Sequence, residues 1–217
     1  MENHPATSGN ISAVILAGGR ATRMGGEDKG LIHLAGRPLV AYVIDALRPQ
    51  VGAILINANR NQDRYAQFGY PVIADEIQGY CGPLAGIASG MQAAGTDYIV
   101  TSPCDSPFLP LDLVARLAKR RYETQAEICV ATDGSRIQPV FSLIRRALLP
   151  SLRTYLDSGG RKVDAWYATR STVEVDFSDV PDTFLNLNTA HELARVEARL
   201  GHNEQQSPPG CTETSLS

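Results

Sequence analysis

Fifteen residues, "LAGGRATRMGGEDKG" (16–30), hold five glycines, three cations and two acids. Gly18 and Gly19 carry no Cβ, so their backbone N–H groups can come close to an anion. Arg20, Arg23 and Lys29 bring positive charge to the same loop. Gly25-Gly26 lets the chain turn back, so that Lys29 faces the first glycines. The chemistry this suggests is the cradling of phosphates. Two familiar phosphate loops do not fit. The P-loop requires G-x-x-x-x-G-K-[ST], whereas Lys29 is followed by Gly30. The dinucleotide fingerprint requires G-x-G-x-x-G, which Gly18-Gly19-Arg20 breaks at its first step. A solvated basic loop is the plainer reading of Gly-Gly alone; the apolar run before it and the second glycine pair favour the phosphate site.

Other chemistry-bearing residues stand at the ends of apolar runs. Asp105, in "TSPCDSPF", occupies the place where open α/β sheets hold ligands. Beside a triphosphate, a carboxylate there suits Mg²⁺, a hard ion that takes oxygen ligands. Ahead of Pro107 it reads as readily as a turn or helix-cap aspartate. Asn57 closes "AILIN" and Asp75 closes "PVIAD", and either alone merely starts a turn. Three such groups along one sheet edge make a shared role more plausible.

Glycines 82, 86 and 90 in "YCGPLAGIASG" are spaced by four, which suits a close-packed helix face or a helix N-terminus brought near a ligand. Asn186 and Asn188 in "NLNTAHEL" project the same way if extended, although Asn188 also reads as a helix cap. Arg161 and Lys162 read first as a solvated basic turn. The four histidines show no ligand spacing, so no zinc site is expected. Ser102 and Ser106 have no base beside them in the sequence and do not suggest a nucleophile. Trp166, Met24 and Met91 read as packing residues.

What must position these groups is an alternation of strands and helices. "ISAVIL", "AILIN" (53–57), "PVIAD" (71–75), "DYIVTSPCD" (97–105) and "AEICVA" (126–131) are short, apolar and rich in β-branched residues, as strands covered on both faces are. Between them Leu39, Val43, Ala46 and Leu47 recur at helical spacing, with Pro38 suited to a first turn. Residues 83–95 and 110–122 also predict helices, the second closing on Lys119, Arg120 and Arg121 to suit its dipole. Further on, "IQPVFSLI", "RKVDAWYA" and "TVEVDF" are expected as strands joined to the main sheet. "ALLPSLRTYLDSG" and "NTAHELARVEARL" are expected as helices. The fold class expected is α/β, a Rossmann-like, doubly wound, mostly parallel sheet.

At 217 residues the length predicts one domain, expected over 11–200 with flexible tails at 1–10 and 201–217. The formal net charge is −3, so nothing draws the whole chain to nucleic acid. No apolar run reaches the ~20 residues of a membrane span, and "MENHPATSGN" lacks the plan of a secretory signal. Four scattered cysteines without a CxxC pair suit a reducing cytosol. A cytoplasmic protein is expected.

The combination of L-A-G-G, R-M-G-G-x-D-K, N-A-N-R, G-P-L-A-G, P-C-D-x-P and N-x-N-T resembles the molybdenum cofactor guanylyltransferases, the MobA type of nucleotidyltransferase. The likeness runs from "LAGG" to "FLNLNTAHEL". It implies a nucleotide-diphospho-sugar transferase-like, three-layer α/β/α fold. It also implies transfer of GMP from GTP to molybdenum-molybdopterin, with release of pyrophosphate. By the same resemblance Leu16, Ala17, Gly18, Gly19, Lys29, Asn57, Asp75 and Asp105 bind the nucleotide, and Asp105 holds Mg²⁺. Arg23, Lys29 and Asp105 are the catalytic candidates; Gly82, Gly86, Asn186 and Asn188 are those for the acceptor. A phosphate monoester is already anionic near neutral pH, so attack on the α-phosphorus needs no side-chain base. Molybdenum-insertion proteins and a recipient molybdoenzyme or its chaperone follow as implied partners, with no nucleic acid or membrane. The alternatives are a cytidylyltransferase for the same pterin, a sugar-1-phosphate nucleotidyltransferase and a non-catalytic pterin carrier. L-A-G-G, where cytidylyl relatives typically show L-A-A-G, favours guanine.

Overall fold

The computed structural model describes residues 8–17, 28–76, 82–185, 187 and 189–204. At its centre is Ile11–Leu16 (β1). Ile11, Ala13 and Ile15 pack into one apolar layer and Val14 into the other, which is why this strand shows no polar alternation. Residue 28 leads through a hairpin of His33–Leu34 (β2) and Arg37–Pro38 (β3) into Leu39–Leu47 (α1). Pro38 stands just before that helix rather than inside its first turn.

There follow Ala53–Asn57 (β4), the short helix Gln62–Ala66 (α2), Val72–Ile73 (β5), Pro83–Ala93 (α3), Tyr98–Pro103 (β6) and Leu113–Thr124 (α4). The remaining elements are Ile128–Thr132 (β7), Ile137–Arg145 (β8), Leu149–Asp157 (α5), Val163–Tyr167 (α6), Thr172–Asp176 (β9) and Ala190–Glu204 (α7). Seven strands form one sheet in the order β5-β4-β1-β6-β8-β7-β9. All run parallel except β8, which opposes both β6 and β7. Apolar residues of α1 and α4 cover one face, and those of α3, α5 and α6 cover the other. This is the expected doubly wound, three-layer α/β/α architecture.

One element is corrected. "RKVDAWYA" forms helix α6, not a strand. Val163, Trp166 and Tyr167 stand at i, i+3 and i+4 and bury a single face, while the stretch is too short for period 2 and period 3.6 to be told apart. The strand expected over 71–75 pairs only through Val72 and Ile73. The β2–β3 hairpin and α2 carry no periodic signal because each is only two to five residues long. No helix among the described residues is long and apolar enough to cross a membrane.

The topology decides where a ligand can sit. From β1 the chain moves to β4 and β5 on one side, then returns to β6 on the other. Strand order therefore reverses between β1 and β6, and the crevice outside the carboxyl ends of such strands is where open α/β sheets bind ligands. Leu16 stands opposite Asn57 on β4 and opposite Pro103 on β6. Helix α7 closes over the hairpin, its Val196 packing with Ile32, Leu34, Leu39 and Leu187.

Candidate functional site

At the switch point the Cys104 N–H donates to the carbonyl of Leu16 at 3.2 Å, which carries the β1–β6 ladder one residue further. Asp105 comes next. Its side chain is 7% exposed, and its Oδ2 accepts from Lys29 Nζ at 3.1 Å. These two candidates are 76 residues apart in sequence, yet they share one rim of the sheet. The Asp105 carbonyl also accepts from the N–H of Leu187 at 3.2 Å. That bond ties Leu187 to the same point.

Around Asp105 the donor set is sparse. Among the described residues no group of three or more His, Cys, Asp or Glu side chains gathers to cage a metal. One buried carboxylate suits a hard ion that keeps water and phosphate oxygens in most of its positions; Mg²⁺ fits Asp105, where it would share the carboxylate with Lys29. Cys104 offers no competing chemistry. Burial, then the charges of Asp105 and Asp28, raise its thiol well above the ordinary range. Cys129 is also free, and burial pushes it up to about 12.

A second cluster forms along the rim at the ends of β4 and β5. Asn57, 3% exposed, donates from Nδ2 to Asp75 Oδ1 at 2.9 Å. Asn59 donates to Asp75 Oδ2 at 2.8 Å, and the Asp75 N–H returns a bond to Asn59 Oδ1 at 2.8 Å. Both carboxylate oxygens are thereby satisfied and the side chain is held in one orientation. Asn59 was not among the expected site residues, though N-A-N-R was a quoted motif; its spacing of two from Asn57 was the available signal.

The glycines of α3 do different things. Gly82 caps the helix at φ +64, a conformation that L side chains avoid. Gly86 is buried against Asn57 and Leu16: a Cβ there would collide with Asn57 Oδ1 and stand 2.9 Å from Leu16 Cδ2. At Gly90 it would meet Val14 Cγ2 at 2.6 Å. Gly86 thus packs as part of a close helix face and supports Asn57. Gly86→Ala is expected to displace Asn57 from Asp75 and to cost ~1–3 kcal/mol by overpacking, or roughly 2–4 °C of melting temperature per kcal/mol at this size. A thermal melt within 1 °C of the parent would contradict that packing.

Leu16 and Ala17 lie at the switch point, and the Ala17 N–H donates to the Asn57 carbonyl at 2.8 Å. Gly18, Gly19, Arg23, Asn186 and Asn188 lie outside the described residues. Arg161 Nη1 donates to the carbonyls of Leu156 and Gly160 at 2.8 and 2.7 Å and so caps the end of α5. Trp166 and Met91 are fully buried packing residues, as expected.

Comparison with known proteins matches residues 13–173 to the MobA-like NTP transferase domain family. A molybdenum cofactor guanylyltransferase of Shewanella loihica is 50% identical over 195 residues, spanning 90% of this chain and 100% of that one. Another, of Shewanella woodyi, is 51% identical over 186 residues, covering 86% of this chain and 95% of that one. Among solved structures, molybdopterin-guanine dinucleotide biosynthesis protein A from Archaeoglobus fulgidus superposes with a TM-score of 0.73 at 19% identity, covering 88% of this chain and 99% of that chain. This last likeness concerns the fold.

Proposed function

The chain belongs to the MobA-like NTP transferase family, and on that premise we propose that it transfers GMP from GTP to molybdenum-molybdopterin, releasing pyrophosphate. The observation that carries the reading is the Lys29–Asp105 pair at the β1–β6 switch point, with relatives of half-identical sequence named for this reaction.

In this reaction a terminal phosphate oxygen of the acceptor forms a bond to the α-phosphorus of GTP, and the bond from that phosphorus to the bridging oxygen of pyrophosphate breaks. Two anions must meet, and charge builds on the leaving oxygen. Lys29 answers both needs, as a cation set at the rim where the triphosphate would lie. Asp105 would hold Mg²⁺, which when bound draws phosphoryl oxygens together and neutralises their charge. Arg23 and the amides of Gly18 and Gly19 belong to the same phosphate site in this reading. Asn57 and Asp75 face the nucleoside, their mutual hydrogen bond fixing a donor–acceptor edge before any ligand arrives. Gly82, Gly86, Asn186 and Asn188 are assigned to the acceptor in this reading. A cytoplasmic setting belongs to this reading, with the product passing to a recipient molybdoenzyme or its chaperone.

Supplied with molybdenum-molybdopterin and Mg²⁺, the chain is expected to release pyrophosphate from GTP at least about tenfold faster than from CTP or ATP, the margin that ~1.4 kcal/mol of discrimination supplies. Excess chelator should stop the reaction. Preferential use of CTP would transfer the assignment to a cytidylyltransferase, and full activity in chelator would remove the magnesium.

A further inference from the structure

We infer that Asn61, acting through Asp28, is a positioning residue that sets the Lys29 ammonium against Asp105. The inference rests on the reading of Lys29 as a phosphate ligand. Asp28 is charged yet only 2% exposed, and burying a carboxylate is unfavourable unless partners are built for it. Its Oδ2 accepts from Asn61 Nδ2 at 3.1 Å, a bond across 33 residues of sequence. Asn61 stands just before α2 with φ 51, in the left-handed region. Asn enters that region more readily than most side chains do, and there its amide is presented to Asp28.

What the bond anchors is the turn that carries Lys29. Directly after Asp28, residues Lys29–Leu31 form a single 3₁₀ turn, closed by the Leu31 N–H donating to the Asp28 carbonyl at 2.9 Å. Gly30 within it has no room for a side chain. A Cβ would stand 2.8 Å from the Tyr65 hydroxyl oxygen and 3.0 Å from both Cβ and Sγ of Cys104. The turn is therefore held between Asn61 and Tyr65, the one just before α2 and the other within it, and Cys104, the chain neighbour of Asp105. Lysine has a flexible stem and a point charge, so its placement depends on where its backbone starts. Asn61 and Asp28 fix that start. A cation displaced by about 1 Å can lose a large part of its effect on a transition state.

The test places a second carboxylate opposite the first. Asn61→Asp is expected to lower kcat for guanylyl transfer about tenfold while KM for GTP changes less than about threefold, the split of an interaction realised in the transition state. Mass-spectrometric amine labelling of Lys29 in the intact chain should quicken several-fold. In Asp28→Asn/Asn61→Asp the amide and the carboxylate trade places, and both readouts should return towards the parent. In a Lys29→Ala background Asn61→Asp should have no further effect on kcat, because groups acting through one another are not additive. If Asn61→Asp fails to fold, Asn61→Gly keeps the left-handed backbone and removes only the amide, with the same result expected. An equal loss of kcat in the Lys29→Ala background, unchanged Lys29 labelling, or no recovery in the exchanged pair would each overturn the inference. A parent chain that releases no pyrophosphate from GTP would overturn the proposed reaction instead, and the labelling of Lys29 would still decide the positioning role.

Discussion

Asp105→Ala is expected to reduce magnesium-dependent guanylyl transfer by roughly 10²–10³-fold while leaving a folded protein. The loss is expected to be large because, in the proposed reaction, Asp105 supplies the carboxylate oxygen that would hold the metal. The fold survives for three reasons. The bonds at residues 104 and 105 that join β6 to Leu16 and to Leu187 are made by backbone atoms that alanine retains. The deleted atoms are few. The Lys29 side chain is already 27% exposed and can reach water when its partner is gone. A partly exposed pair of this kind is worth about 1 kcal/mol or less, so a melting shift of about 2–4 °C is the upper expectation. Asp105→Asn sharpens the test: it keeps the shape and removes the charge, and it should lose nearly as much activity as alanine. Turnover within about threefold of the parent at equal magnesium would remove Asp105 from metal binding, since losing such a stabiliser ordinarily costs far more.

Lys29→Ala should lower kcat/KM for GTP about 10²-fold, through loss of the cation that the proposed reaction sets against the triphosphate. Much of this should appear in kcat, because charge on the leaving pyrophosphate exceeds that in the ground state. Lys29→Arg is expected to recover only part of the activity. A planar guanidinium on a longer stem does not occupy the position of an ammonium 3.1 Å from Asp105 Oδ2, and Gly30 leaves the turn little freedom to adjust. Steady-state kinetics with GTP and acceptor decide the matter. An unchanged kcat/KM would take Lys29 out of the phosphate site and leave the Lys29–Asp105 pair a structural one.

The strands were the most legible elements. β1, β4 and β6 are largely apolar runs, and Asn57 at the end of β4 and Asp105 just past the end of β6 flank Leu16 on one rim. Helices α4 and α5 are readable because each presents an apolar stripe long enough to reveal its period; α3 is buried at every residue from Leu84 to Met91 and reads as a helix by composition and its opening proline. Helix α6 was misread because five residues sample barely one turn. Among the site residues, Asp75 was visible as a polar residue after an apolar run, whereas Asn59 and Asn61 were hidden in the loop that follows β4. Their roles depend on what they face: Asp75 in one case and Asp28 in the other. Gly86 shows a role that only the structure reveals: its missing side chain makes room for Asn57.

By itself the sequence determined the class of the fold, the phosphate-loop composition and the family, because these follow from local pattern: apolar runs, glycine placement and short motifs read along the chain. Only the tertiary structure decided that Lys29 meets Asp105, that Asp75 is held by two asparagines, and that Asn61 reaches back to Asp28. Those contacts join residues brought together by the β1–β6 strand reversal and by parallel crossovers. Side-chain hydrogen bonds across such distances depend on ångström placement in three dimensions, which no spacing along one dimension encodes.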